Sequence, residues 1–123
     1  MFYEPSARDR ALLPHDPFKA IIAPRPIGWI STLDAAGTPN LAPYSFFNAV
    51  ADSPPIVMFS ANQKSDGSRK DSVVNAESRG EFVWNLATWA QREAVNISAQ
   101  ELALGVDEFG LAKLDKLPSH KVS

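Results

Sequence analysis

Nine of the ten prolines in this 123-residue chain fall at or before Pro55, and the tenth is Pro118. Proline lacks a backbone N–H and fixes φ, so helix interiors reject it and central strands rarely hold it. The first half must therefore be extended and rich in turns, with the helices expected in the second. Residues 1–17, which include Pro5, Pro14 and Pro17, read as an arm lying on the surface of a domain.

Within that first half the pattern predicts one strand over roughly 21–33 and a second over 40–51, joined by the polar turn 35–40. Neither alternates cleanly. Ile27, Trp29 and Leu33 share one parity, Pro26 and Ile30 the other, and the adjacent Phe46 and Phe47 must face opposite ways. Strands that are apolar on both sides have both sides covered, here by a barrel interior and by a helix or second subunit. Asp52-Ser53-Pro54-Pro55 is a break, and Ile56-Val57-Met58-Phe59 a short buried strand ending at Ser60. A polar loop over 61–69 leads into a helix capped by Asp71, with Val73, Val74 and Ala76 as its apolar side and Gly80 just past its end. Phe82, Trp84 and Leu86 share a parity and predict a fourth strand over 81–88. Ala90, Ala94, Val95 and Ile97 predict a helix over 89–100. Residues 106–111 form one more short helical turn before a frayed tail. Trp29, Trp84 and Trp89 are expected in the core or at an interface.

Composition narrows the functional classes. Twelve basic against fourteen acidic side chains leave a net charge of −2, too mild for a nucleic-acid surface. There is no cysteine, which rules out disulfides, thiolate metal sites and cysteine nucleophiles and suits a reducing cytoplasm. No apolar run approaches the ~20 residues needed to span a bilayer. His15 and His120 stand in peripheral segments with no ligand spacing, and the carboxylates are too dispersed for paired acid–base hydrolysis. One soluble domain in the cytoplasm is expected.

Two places could carry chemistry. Ser45-Phe46-Phe47-Asn48 sets small polar groups beside two rings, either a wall for a flat, partly polar ligand or two core phenylalanines and a strand end. Lys70-Asp71-Ser72 opens a helix, where unpaired N–H groups and the positive end of the dipole favour a phosphate. The plainer alternative makes Asp71 a simple cap and leaves Lys70 solvated. Arg25, held between Pro24 and Pro26, is either a fixed surface charge or part of an anion site.

Several separated words in a fixed order go further. Arg25-Pro26-Ile27-Gly28-Trp29-Ile30-Ser31-Thr32, Asn40-Leu41-Ala42-Pro43-Tyr44-Ser45-Phe46-Phe47-Asn48, Pro54-Pro55-Ile56-Val57-Met58-Phe59-Ser60, Lys70-Asp71-Ser72 and Gly80-Glu81-Phe82-Val83 all match one pattern, with a counterpart for Val106-Asp107-Glu108-Phe109. The chain resembles the flavin reductase-like family of FMN-binding split barrels from about Phe18 to Leu111. That resemblance implies a mainly β fold, a split β-barrel with flanking helices, binding FMN without a covalent link. It implies hydride transfer from NAD(P)H to the flavin, with no side chain singled out as catalytic. The implied cofactor contacts are Arg25, Thr32, Ser45, Phe46, Phe47, Asn48, Ser60, Lys70, Asp71 and Ser72. The family often carries threonine where this chain has Ser72, and serine keeps the hydroxyl.

In the resemblance the site lies at a homodimer interface, with no nucleic-acid or membrane partner. The family's barrel continues beyond the position of Leu117, so the chain is expected either to be a piece of the barrel or to have its missing strands replaced by a partner. Open strand edges invite association, and a homodimer or higher oligomer with mutually covered edges is expected. Two other readings compete: a split barrel that binds flavin or haem, or oxidises pyridoxamine phosphate, without reducing flavin; and a non-catalytic β-barrel interaction module.

Overall fold

The computed structural model describes residues 3–103 and 105–122; Met1 and Phe2 of the expected arm and Ser123 of the expected tail lie outside them. A 3-10 turn (Pro5–Ala7) precedes helix α1 (Pro17–Ile21) and strands β1 (Gly28–Leu33), β2 (Pro39–Tyr44), β3 (Phe47–Asp52) and β4 (Pro55–Phe59). Helix α2 (Asp71–Arg79), strand β5 (Val83–Asn85), a 3-10 turn (Trp89–Gln91), helix α3 (Arg92–Ser98) and helix α4 (Glu108–Leu111) follow.

The strands form two antiparallel sheets, one in the order β2-β1-β5 and one pairing β3 with β4. Strand β1 is the centre of the molecule. Trp29, Ile30 and, across the ladder on β2, Leu41 are buried, and α2, α3 and α4 pack around this sheet. Burying a side chain such as Ile30 or Leu41 contributes roughly 2 kcal/mol. The indole N–H of Trp29 donates to Ser98 Oγ at 2.9 Å, which ties α3 to β1 while satisfying the one polar atom of the ring.

The β1–β2 turn is built by Asp34, whose Oδ1 accepts from Ala36 N and Thr38 N, each at 2.8 Å. These bonds, that from Thr38 foremost, hold the Asp34 carboxyl below its ordinary pKa. Gly37 supplies the left-handed residue at φ 86°. The sheets are joined by rings. Tyr44 and Phe59 lie 5.0 Å apart, Phe59 and Phe82 5.1 Å, and Phe47 and Trp84 5.1 Å. Phe47 can occupy this joint because residue 28 is glycine: a Cβ there would sit 2.4 Å from the Phe47 Cδ2.

Several expectations need correction. The first strand starts at Gly28 because Asp16 caps α1, accepting from Phe18 N at 3.1 Å, with Pro17 at the first helical position. The second strand is two strands. The chain bends at Ser45-Phe46, the Phe46 carbonyl accepts from Ser60 N at 2.8 Å, and β3 leaves the first sheet to pair with β4. Strand β5 covers three residues instead of eight, and beyond it Thr88 and Gln91 form a capping box that starts the next turn of helix. Lys70, not Asp71, is the N-cap of α2, with Asp71 inside the first turn; Gly80 closes the helix at φ 74°, as its position suggests. Helices flank the sheets and claim about as much chain as the strands do, and among the described residues the two sheets do not close into a barrel. Trp29 is core, whereas Trp84 is partly and Trp89 largely exposed.

Candidate functional site

The bend at Ser45-Phe46 makes a corner between the two sheets. Phe47 turns inward to the aromatic joint and Phe46 turns the other way, 6.2 Å from the Phe18 ring and beneath the Arg25 guanidinium, whose Cζ is 5.7 Å from the ring centroid. Arg25 Nη1 donates to the carbonyls of Lys19 (2.8 Å) and Ile22 (3.0 Å), so it closes the C-terminal end of α1. Its Nε is buried with no acceptor among the described residues. Ser60, bonded through its N–H to Phe46, opens on a broad depression of about 530 Å³ lined also by Phe59, Phe82, Val73 and Ala76. Asn48 is exposed, and its Oδ1 accepts from Ala49 N.

The start of α2 is wired differently. Lys70 pairs with Glu101 at 3.0 Å and Asp71 with Lys64 at 2.7 Å. Ser72 is buried, and its hydroxyl donates inward to Asn40 Oδ1 at 2.6 Å. Thr32 Oγ1 also meets Asn40 Oδ1, at 3.4 Å, and accepts from Asn75 Nδ2 at 3.2 Å. Asn40 Nδ2 donates to Glu108 Oε1 (3.1 Å), while Leu41 N donates to Glu108 Oε2 (2.9 Å). Burial pushes the Glu108 carboxyl above its ordinary pKa, and these bonds offset part of the effect. Thr32 and Ser72 thus have their hydroxyls committed to an interior network, not turned to solvent.

Tyr44 connects the two places. It lines a cavity of about 70 Å³ with Lys64, Lys70, Asp71, Ser72, Glu101 and Glu108, and the next residue is Ser45 at the corner. Burial raises its phenol pKa, and the Ser72 hydroxyl works in the opposite direction. Arg25, Ser45, Phe46 and Ser60 are therefore gathered at the corner, with Asn48 exposed on β3 two residues beyond Phe46, and Thr32, Lys70, Asp71 and Ser72 lie around the helix start. Phe47 belongs to the joint between the sheets. A separate cavity of about 290 Å³, between β1, β5 and residues 116–122, touches Thr32 alone of the expected contacts.

The model of the flavin reductase-like domain matches residues 22–122. The chain belongs to the flavin reductase-like family. It is 42% identical over 94 residues to an uncharacterised protein of Aquifex aeolicus, covering 76% of this chain and 48% of that one. It is 36% identical over 102 residues to YwrF of Bacillus subtilis, covering 83% and 49%. Among solved structures, the nitrilotriacetate monooxygenase component B from Bacillus cereus superposes with a TM-score of 0.85 at 32% identity, covering 100% of this chain and 60% of that one. The flavoredoxin of Desulfovibrio vulgaris (Miyazaki F) matches with a TM-score of 0.73 at 18% identity, covering 99% and 58%, a likeness of fold. The chain spans about half the length of the relatives it matches.

Sequence reasoning missed Asn40 and Glu108 as the centre of the network and Lys64 and Glu101 as partners at the helix start. For Glu108 a signal existed, since Val106-Asp107-Glu108-Phe109 has a counterpart in the family pattern. Glu101 stands 31 residues from Lys70 and carries none. Among the described residues no group of three or more His, Cys, Asp or Glu could hold a metal ion, and no helix is long and apolar enough to cross a membrane.

Proposed function

We propose that this chain binds FMN without a covalent link and serves hydride transfer from NAD(P)H to the flavin. The observation that carries the reading is the corner. An arginine with a buried donor lacking an acceptor lies over Phe46, which follows Ser45 in the chain and whose carbonyl accepts from Ser60 N. A buried unpaired N–H is costly, and the carbonyl-bearing edge of an isoalloxazine would supply what Arg25 Nε lacks. Family membership, and a structural relative at 32% identity that is named as a monooxygenase component, support a flavin-related oxidoreductase role.

Bound FMN would supply a ring that takes a hydride from a nicotinamide and passes its electrons on. The protein's part is orientation. Phe46 would offer an apolar face, Arg25, Ser45, Asn48 and Ser60 would offer polar contacts to the ring edge, and the N-terminal N–H groups of α2 with Lys70 would hold the phosphate, Asp71 fixing Lys64 beside them. Ser72 and Thr32 act from beneath, by fixing Asn40 and the first turn of α2. Tyr44, buried and lining the cavity at the start of α2, would help to exclude water from that side of the site.

The β3–β4 pair leaves Val50, Ile56 and Met58 about half exposed, and a homodimer covering them belongs to the same proposal, as does a cytoplasmic setting. Anaerobic titration with FMN, followed by NADH or NADPH, tests it. Flavin fluorescence should quench on binding and the flavin's visible absorption should bleach on adding one of the nicotinamides. Colourless protein that leaves FMN fluorescence unchanged would overturn the reading, and binding without bleaching would favour the split barrel that binds flavin but does not reduce it.

A further inference from the structure

The cavity at the start of α2 holds two lysines and three carboxylates, Asp71, Glu101 and Glu108. Both lysines are already paired. A phosphate brought there meets an acidic surplus unless one carboxylate withdraws. Asp71 is part of the helix, and Glu108 is buried under two hydrogen bonds. Glu101 is different: it lies past the end of α3, its side chain is 39% exposed, and every partner it has is in the loop before α2 or at its cap.

Those partners form an anion's donor set. Glu101 Oε1 accepts from Ser65 N at 3.0 Å and from the Ser65 hydroxyl, and Oε2 accepts from Lys70 Nζ at 3.0 Å. A backbone N–H, a hydroxyl and an ammonium converging on one pair of oxygens are what a phosphate monoester takes from a protein. The loop presents them without help from Glu101. Lys64 N donates to Ser68 O at 2.7 Å, Gly67 N to Lys64 O at 3.0 Å, and Ser68 N to Asp66 Oδ1 at 2.8 Å, a closed turn with Gly67 at φ 84°.

We propose that Glu101 is an internal stand-in for the ligand's phosphate: its carboxylate occupies Ser65 and Lys70 while the site is empty and is displaced when a phosphate monoester binds. The inference rests on the flavin reading above and adds Ser65 to the seat. The Glu101 contact is a competitor, so the ligand's apparent affinity is reduced by the fraction of molecules in which the seat is held shut. An ordinary exposed ion pair has no such consequence, because breaking it changes little.

The test is the affinity of wild type and Glu101→Gln for FMN and riboflavin, with NADPH and NADH as a parallel pair. FMN and NADPH both carry a phosphate monoester, and the pairs distinguish which one uses the seat. The expected result is that Glu101→Gln binds FMN about tenfold tighter, binds riboflavin unchanged, and leaves the NADPH-to-NADH ratio where it was. In wild type, FMN and not riboflavin should shift the Ser65 and Glu101 backbone amides in an NMR titration, a readout that needs no variant. A wild type that prefers FMN to riboflavin, with that preference unchanged or lowered by Glu101→Gln, overturns the stand-in and leaves the flavin reading intact. A shift confined to NADPH overturns it as a flavin device. Failure of both proteins to bind FMN removes the flavin reading and the stand-in together.

Discussion

The β1–β2 face and the β3–β4 pair use similar sequences to opposite ends. Both are short antiparallel ladders rich in apolar residues, yet β1 is buried along most of its length while β3 is exposed at every residue after Phe47. On the first face Ile30 is fully buried and the polar side chains behind it are bonded to one another. On the second, Ile56 and Met58 are each close to half exposed. A side chain's character does not decide burial; what the rest of the molecule lays over it does. The first face is finished within the described residues, and the second presents apolar surface of the kind that marks a contact.

The largest expected contrast lies between two isoleucines. Ile30→Ala should destabilise by about 3–4 kcal/mol, a transfer loss plus an unfilled cavity. Ile56→Ala should cost less than about 1 kcal/mol in dilute protein, as exposed substitutions do. Urea denaturation at low concentration checks both, and equal losses would mean that the hairpin is covered even in the monomer. If a second copy covers it, the Ile56 cost grows with protein concentration while that of Ile30 does not.

A smaller effect probes the polar side of the same face. Asn40→Ala strips partners from Ser72, Thr32 and Glu108 at once. Leaving buried polar groups unsatisfied should cost about 2–3 kcal/mol, and a cycle with Ser72→Ala should show coupling of about 1 kcal/mol. Additive losses would mean that the network is a set of neighbours and not a unit.

The same contrast sorts what could be foreseen. The β1–β2 turn, the stop of α2 at Gly80 and the opposite facing of Phe46 and Phe47 follow from local rules, and they stand in the structure. The break at Ser45-Phe46 could not be read, because the run from Asn40 to Ala51 is continuous in propensity, and what ends β2 is the tertiary bond from Ser60 N to the Phe46 carbonyl. The helix that displaces the expected start of β1 was legible: Asp16-Pro17 is a helix opening, an acidic cap followed by a proline in the first turn. At the candidate site the local words were visible, but the direction of the Ser72 hydroxyl depends on Asn40, 32 residues away.

The smallest effect, and the one whose sign is most telling, concerns two glutamates at the same cavity. Hydrogen bonds from the Ser65 hydroxyl, then from Lys70 and the Ser65 N–H, hold the Glu101 carboxyl down to about 2. Its folded-state value lies below its unfolded one, so the stabilisation is complete above the ordinary glutamate range and is lost as pH falls toward about 2. Glu108 is shifted upward by burial, so its charge opposes folding, and protonation as pH drops through its raised value favours the folded state. Wild type should therefore gain slightly in Tm on mild acidification before losing it further down. Glu101→Gln should flatten only the lower limb, since the competing carboxylate is gone, and keep the gain that Glu108 provides. Thermal melts at a series of pH values check this, and a Glu101→Gln curve parallel to wild type down to strong acid would show that Glu101 is not held by Ser65 and Lys70 in solution.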